Sequence, residues 1–258
     1  MTWSPIVELR QYQLHPERRD DLISLFERNF VESQEEEGMA VIGTFRDLDD
    51  DDRFVWIRGF PSMSDRRRGL EAFYYGSVWR ANRDQANETM VDSDNVLLLR
   101  PARKNLGFRP AANRPPVGAP ERDRGIVQID VLLFDAPPDD ATIDDFHEVA
   151  STSLKGSAGR LLGCLVTEEA ENDFPALPVR EGEHALVCLL GYPDEAAFDS
   201  AQDARAEIRR EAERLPGVHA VDELRLAPTA RSQLAGDSLA SVEPNSDPER
   251  MNVSGASD

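Results

Sequence analysis

The chain repeats itself, in order. Ile6-Val7-Glu8-Leu9-Arg10 returns as Ile126-Val127-Gln128-Ile129-Asp130. Val41-Ile42-Gly43 returns as Leu161-Leu162-Gly163, and Trp56-Ile57-Arg58-Gly59-Phe60-Pro61 as Cys188-Leu189-Leu190-Gly191-Tyr192-Pro193. Leu98-Leu99-Arg100-Pro101 closes the first copy and Arg225-Leu226-Ala227-Pro228 the second. Two copies of one unit, each of roughly 100 residues, imply an architecture in which each copy completes the other.

Each copy reads as the same string of elements. In the first, residues 6–14 alternate as a strand does, and His15-Pro16-Glu17 opens a helix with Leu22, Leu25, Phe26 and Phe30 on one face. Residues 39–47 and 53–60 are two strands joined by an acidic turn, Leu48-Asp49-Asp50-Asp51-Asp52. A helix over 62–75, broken at Gly76-Ser77 and resumed over 78–90, precedes a last strand at 95–100. The order β-α-β-β-α-β is the ferredoxin-like unit. The second copy repeats it with strands at 126–134, 160–167, 184–192 and 220–226 and helices at 142–154 and 194–215. Its hairpin loop, residues 168–183, is longer than its counterpart. The division expected is a first repeat over 1–101, a linker over 102–124, a divergent second repeat over 125–234 and a disordered acidic tail over 235–258.

A four-stranded sheet with helices on one face must have the other face covered, and two such units joined sheet to sheet close a barrel. The expected fold is therefore α+β, two ferredoxin-like repeats forming a dimeric-type α+β barrel within one chain. Strand alternation sorts the side chains into two sets. Val7, Leu9, Val55 and Ile57 are aliphatic and are expected against the helices. Glu8, Arg10, Tyr12, Trp56 and Arg58 are expected to point into the barrel. There they form either an ion-pair network satisfied within itself or the floor of a pocket for an anionic or carbonyl ligand with an apolar body. Tyr74 and Trp79, at the helix break, join them as candidate ligand contacts. The second copy offers Gln128, Asp130, Cys188 and Leu190 at the matching places, so polar function is expected in the first copy.

Charge and motifs exclude much else. The net charge of -20 argues against nucleic acid and anionic lipid as partners. Arginine almost replaces lysine, with only Lys104 and Lys155 present, which fits a salt-rich cytoplasm or a GC-rich genome. No apolar run of about 18 residues predicts a membrane span, and no basic-then-apolar leader opens the sequence. Cys164 and Cys188 lie in apolar runs and are expected as buried free thiols in a reducing, cytoplasmic setting. His15, His147, His184 and His219 have no metal-ligand spacing, and no phosphate loop, nucleotide fingerprint or nucleophile motif is present. No metal and no cofactor is assigned.

Three stretches of the first copy resemble the NIPSNAP family: Val7-Glu8-Leu9-Arg10-x-Tyr12, Trp56-Ile57-Arg58-Gly59-Phe60-x-Ser62, and Tyr74-Tyr75-Gly76-Ser77-Val78-Trp79-Arg80 followed by Asn87-x-x-Met90. The resemblance covers residues 5–101 well and 125–230 weakly. It implies a dimeric α+β barrel, here closed by tandem repetition. Barrels of this kind include cofactor-free monooxygenases and haem-degrading proteins, a likeness of fold rather than of reaction. Two functions follow as alternatives. One is binding of a small organic molecule in the barrel, with cofactor-independent oxidation or isomerisation. The other is a non-catalytic interaction or structural role with a self-satisfied polar interior. A monomer or a homodimer is expected.

Overall fold

The computed structural model describes residues 4–108 and 114–238. The first copy contains β1 (Ile6–Leu14), α1 (Arg19–Asn29), α2 (Val31–Glu36), β2 (Ala40–Asp47), β3 (Arg53–Phe60), α3 (Met63–Tyr74), α4 (Ser77–Asn87) and β4 (Met90–Pro101). The second contains β5 (Ile126–Phe134), α5 (Asp140–Ser153), β6 (Arg160–Thr167), β7 (His184–Tyr192), α6 (Glu195–Ser200), α7 (Gln202–Arg214) and β8 (Val218–Pro228). The same local signals start equivalent helices in both copies. The Ser62 hydroxyl accepts from the Asp65 N–H (3.0 Å) ahead of α3, and the Asp194 carboxylate accepts from the Ala197 N–H (2.7 Å) ahead of α6.

The eight strands close into one barrel in the order β1-β3-β2-β8-β5-β7-β6-β4, with β4 returning to β1. The copies meet twice and equivalently. Strand β2 pairs with β8 through Phe45 and Pro228, and β4 pairs with β6 through Leu99 and Thr167. Each copy supplies the edge strand that the other lacks, so no edge is left unpaired. The tandem α+β barrel expected from the repeat is the fold.

The faces are the reverse of those expected. Val7, Leu9, Val55 and Ile57 pack inside the barrel with Leu97, Leu99, Val127, Ile129, Val187, Leu189 and Leu226, in one aliphatic cluster drawn from all eight strands. Glu8, Arg10, Tyr12, Trp56 and Arg58 lie on the outer face of the sheet, under α1–α4. Tyr12, Trp56 and Phe60 there pack with Phe26, Phe30, Leu70 and Phe73 of the helices. The physical reason is width: eight strands enclose an interior that side chains of Val and Leu size fill completely. Both faces of the sheet are buried, so alternation separates two sets of residues without saying which is inside.

The segments after β4 and β8 are also equivalent. Leu106 and Phe108 of one, and Leu234 and Ala235 of the other, are buried. The Leu106 carbonyl accepts from the Cys164 N–H, and the Leu234 N–H donates to the Ile42 carbonyl, each at 2.9 Å. A Cβ on Gly163 would come within 2.9 Å of the Leu106 carbonyl oxygen, so glycine is needed where this segment crosses β6. The linker thus begins as part of the barrel, as do the first residues of the expected tail. Residues 109–113 and 239–258 lie outside the described residues.

Cys164 and Cys188 are corrected too. The β6–β7 register places them opposite one another, with Cα atoms 4.4 Å apart, and they are joined as a disulfide rather than left as free thiols. Among the described residues no helix is long and apolar enough to cross a membrane. We expect thiol titration of the denatured, unreduced protein to find no free cysteine. Reduction should lower stability by about 3.5 kcal/mol in denaturant unfolding, the loop-closure value for a bridge spanning 24 residues.

Candidate functional site

The site grows from the register of β1 on β3, which sets Glu8 opposite Arg58 and Arg10 opposite Trp56. The Glu8 carboxylate is fully buried and accepts from three guanidinium groups. Oε2 takes Arg10 Nη1 (2.8 Å) and Arg58 Nε (2.8 Å), and Oε1 takes Arg66 Nε (2.7 Å) from the first turn of α3. Arg58 Nη1 continues to Gln34 Oε1 (3.0 Å) on α2. Arg66 Nη1 continues to Asp173 and Asn172 in the β6–β7 loop. Aromatic faces support the cations: Arg58 lies 5.0 Å from the Trp56 ring centroid and Arg10 5.5 Å from those of Tyr12 and Trp56.

Burial alone would raise the Glu8 pKa, but the coulombic pull of Arg58, Arg10 and Arg66 outweighs it and holds the carboxyl well below its usual range. Glu8 therefore stays ionised. Charge in the cluster does not cancel. Three guanidinium groups (Arg10, Arg58, Arg66) face two carboxylates (Glu8, Asp173), leaving one positive charge in excess. The excess has an outlet at Arg10. Its Nε donates to the Tyr12 hydroxyl (3.1 Å) and its Nη1 to Glu8, while among the described residues its Nη2 has no hydrogen-bond acceptor.

Arg10 and Tyr12 form the sheet side of a cavity of about 460 Å³. Tyr74, Tyr75, Trp79, Arg80 and Arg83 form its helix side, Met90 and Ser93 of β4 an edge, and Phe174 and Leu177 of the β6–β7 loop the remainder. The helix break makes this possible. Gly76 ends the α3 segment, and a Cβ there would come within 2.6 Å of the Ala72 carbonyl oxygen. The turn it permits brings Trp79, Arg80 and Arg83 of α4 to the cavity. No Asp or Glu lines it, although the chain as a whole carries a net charge of -20. Burial pushes the Tyr12 hydroxyl above its ordinary pKa despite the offset from Arg10, so it remains a proton donor at neutral pH. A smaller apolar chamber of about 30 Å³ adjoins the cavity. It is walled by Trp56, Phe26, Phe30 and Phe73 and shares Tyr12, Tyr74 and Trp79 with the cavity.

The seven candidate residues therefore separate. Arg10, Tyr12, Tyr74 and Trp79 line the cavity, and Trp56 lines the inner chamber. Glu8 and Arg58 stand behind, in the ion network, and Glu8 does not reach the cavity as an acid–base group would need to. A ligand in the barrel interior, the place expected for it, is ruled out by the aliphatic side chains that fill that space. The cavity lies between sheet and helices. Arg66 and Phe174 were not legible as site residues, since both act across long sequence separations. The unequal hairpin loops were the one signal pointing to the latter.

The second copy carries no comparable network. On its matching face Asp130 is buried and, among the described residues, accepts only from Gln128 Nε2 (2.6 Å). Burial pushes its carboxyl up to about 7, against the weaker lowering by Gln128.

Comparison with known proteins finds a family model that matches the first copy alone. Residues 7–104 match the NIPSNAP family model. The match takes in β1 through β4 and all seven candidate residues of the NIPSNAP-like copy. Comparison with curated proteins found no match. Among solved structures, the chain is similar to a candidate monooxygenase from Lactobacillus acidophilus, with a TM-score of 0.53 and 15% identity over 92% of this chain and 96% of that one. An anthrone oxidase-like protein gives a TM-score of 0.51 at 12% identity, over 89% and 95% of the two chains. A variant of chlorite dismutase from Candidatus Nitrospira defluvii gives 0.50 at 13% identity, over 88% and 92%. At these identities the likeness is one of fold.

Two measurements check the electrostatics. Glu8→Gln should destabilise by about 3–5 kcal/mol, because it leaves buried guanidinium groups without their shared partner. The wild type's advantage over it should shrink as pH falls below the ordinary glutamate value, since a depressed carboxyl pKa gives stability that acid removes. Asp130 has the opposite sign. Its raised pKa means that wild-type stability declines as pH rises from 3.8 towards about 7. Asp130→Asn should therefore be the more stable protein at pH 8, by a few kcal/mol, and the gap should close near pH 4. Urea unfolding of each variant across pH reads both effects.

Proposed function

We propose that this chain binds a small organic anion with a flat apolar body in the cavity between the first sheet and α3–α4. The observation that carries the reading is the uncompensated positive charge delivered to the cavity wall by Arg10, in a lining whose other charged groups among the described residues are Arg80 and Arg83, the latter paired at 3.2 Å with Asp84 outside the lining. An anion there would offset the excess charge of the buried network and accept from guanidinium N–H groups. Tyr74, Trp79 and Phe174 offer ring faces and edges to its body. The volume falls within the range of small-molecule sites.

A catalytic reading builds on the same cavity. Tyr12, kept protonated and in contact with Arg10 Nε, can donate a hydrogen bond to a carbonyl or enolate oxygen of the ligand and so stabilise the enolate that reacts with dioxygen or is reprotonated elsewhere. That would serve cofactor-independent oxygenation or isomerisation of an aromatic or polyketide-like compound. The names of the Lactobacillus acidophilus protein and of the anthrone oxidase-like protein point in the same direction through shared fold alone. The non-catalytic alternative draws support from Glu8, whose bonds are satisfied within the protein.

We expect naphthalene-2-carboxylate to raise the melting temperature of the wild-type protein, and its neutral amide not to. The Arg80→Ala/Arg83→Ala double variant, altered only at exposed side chains, should bind the acid about tenfold more weakly by calorimetry. Equal binding of acid and amide would rule out recognition of an anion.

A further inference from the structure

The copies differ most in one hairpin loop. Between β2 and β3 it spans residues 48–52, and between β6 and β7 it spans 168–183. The longer loop does not stay with its own copy. The Glu168 N–H donates to the Leu98 carbonyl (2.9 Å) and the Arg180 N–H to the Val96 carbonyl (2.8 Å), both on β4 of the first copy. Between these anchors, Asp173 and Asn172 accept from Arg66 Nη1, while Arg66 Nε donates to Glu8. Asn172 also folds the loop on itself. Its Nδ2 donates to the Leu177 carbonyl (2.9 Å), and its Oδ1 accepts from the Phe174 N–H (3.2 Å). Phe174 is thereby held against Tyr74, with ring centroids 6.0 Å apart and planes at 27°, and against Tyr75 edge-on at 6.1 Å.

We propose that Phe174 is the specificity-determining residue of the first copy's cavity, selecting aromatic over saturated anions, and that Asp173 is the positioning residue that sets it there through Arg66. The proposal rests on the reading of that cavity as an anion site. The arginines that recognise charge all come from the first copy, and their ion pairing is the same for a flat ring and a puckered one of equal charge. Shape is read by the walls, and Phe174 and Leu177 are walls that the first copy cannot supply. The Phe174 ring is buried and packed against Tyr74, so a ligand ring meets a wall already held in place by the protein and gains ring–ring contact at small ordering cost. A saturated ring of the same skeleton gains apolar burial only. The duplication then has a functional consequence: the second copy, poor in polar groups itself, completes the site of the first.

The test compares naphthalene-2-carboxylate with decahydronaphthalene-2-carboxylate, which share skeleton and charge, by calorimetry on the full chain. Wild type should prefer the aromatic acid by roughly three- to tenfold. Phe174→Leu, which keeps apolar bulk and so guards against a folding defect, should lower the ratio of the two affinities at least about twofold, leaving only the preference that Tyr74 and Trp79 supply. Phe174→Ala should do the same with weaker binding of both. Asp173→Asn should reduce the ratio part-way and speed amide hydrogen exchange within 168–183, a readout that loss of apolar packing elsewhere would not move. A ratio retained in both Phe174 variants would overturn the proposal while leaving the anion site standing. A wild type that binds neither acid would remove the anion site, and the proposal with it.

Discussion

Eight strands closing on themselves enclose a narrow interior that apolar side chains fill in this protein, and the rest of the structure is arranged around that limit. Because Val7, Leu9, Val55, Ile57 and their counterparts in the second copy occupy the inside, every polar residue of β1 and β3 in the interleaved set is turned outward, beneath the helices. A carboxylate and three guanidinium groups are then buried where water cannot reach them. Burial of that kind is tolerable only with close pairing, and Glu8 supplies it by accepting from Arg10, Arg58 and Arg66 at once. The site is thus displaced from the barrel axis to the layer between sheet and helices.

Duplication normally yields two equal sites. Here the framework positions persist while the chemistry has parted. Gln128 and Asp130 stand where Glu8 and Arg10 stand, and Cys188 and Leu190 where Trp56 and Arg58 stand. The second copy's buried carboxyl, Asp130, has no guanidinium bonded to it among the described residues and is pushed towards neutrality, whereas the first copy's is held ionised. Cys164 and Cys188 add a covalent tie across β6 and β7 in the copy without the ion network. The second copy acts on the first instead: its long loop docks on β4 and on Arg66 and walls the cavity.

Much of this was legible in the residues. The repeat predicted the number of units, the strand order within each and closure within one chain, because pairing of equivalent edges is the simplest way to cover two open sheets. Alternation in β1 and β3 put Glu8, Arg10, Tyr12, Trp56 and Arg58 on one face together. The glycine break at Gly76 marked the helical side of the cavity, with Tyr74 and Trp79 beside it. Direction failed: with both sheet faces buried, hydrophobicity carries no sign for inside and outside, and the narrow bore of the barrel decides it. The cysteines failed for a related reason, since a cross-strand pair depends on the register of β6 and β7 and not on separation along the chain.

The order of residues alone thus settled the unit, its duplication, the grouping of residues by face and the concentration of polar chemistry in the first copy, all of which are properties of local periodicity. Folding in three dimensions settled which face points inward, which arginines share Glu8, where the excess positive charge emerges, and that Phe174 reaches a cavity built mainly from the other copy. Those depend on barrel width and on contacts between residues as far apart as Arg66 and Asp173, and no local pattern carries them.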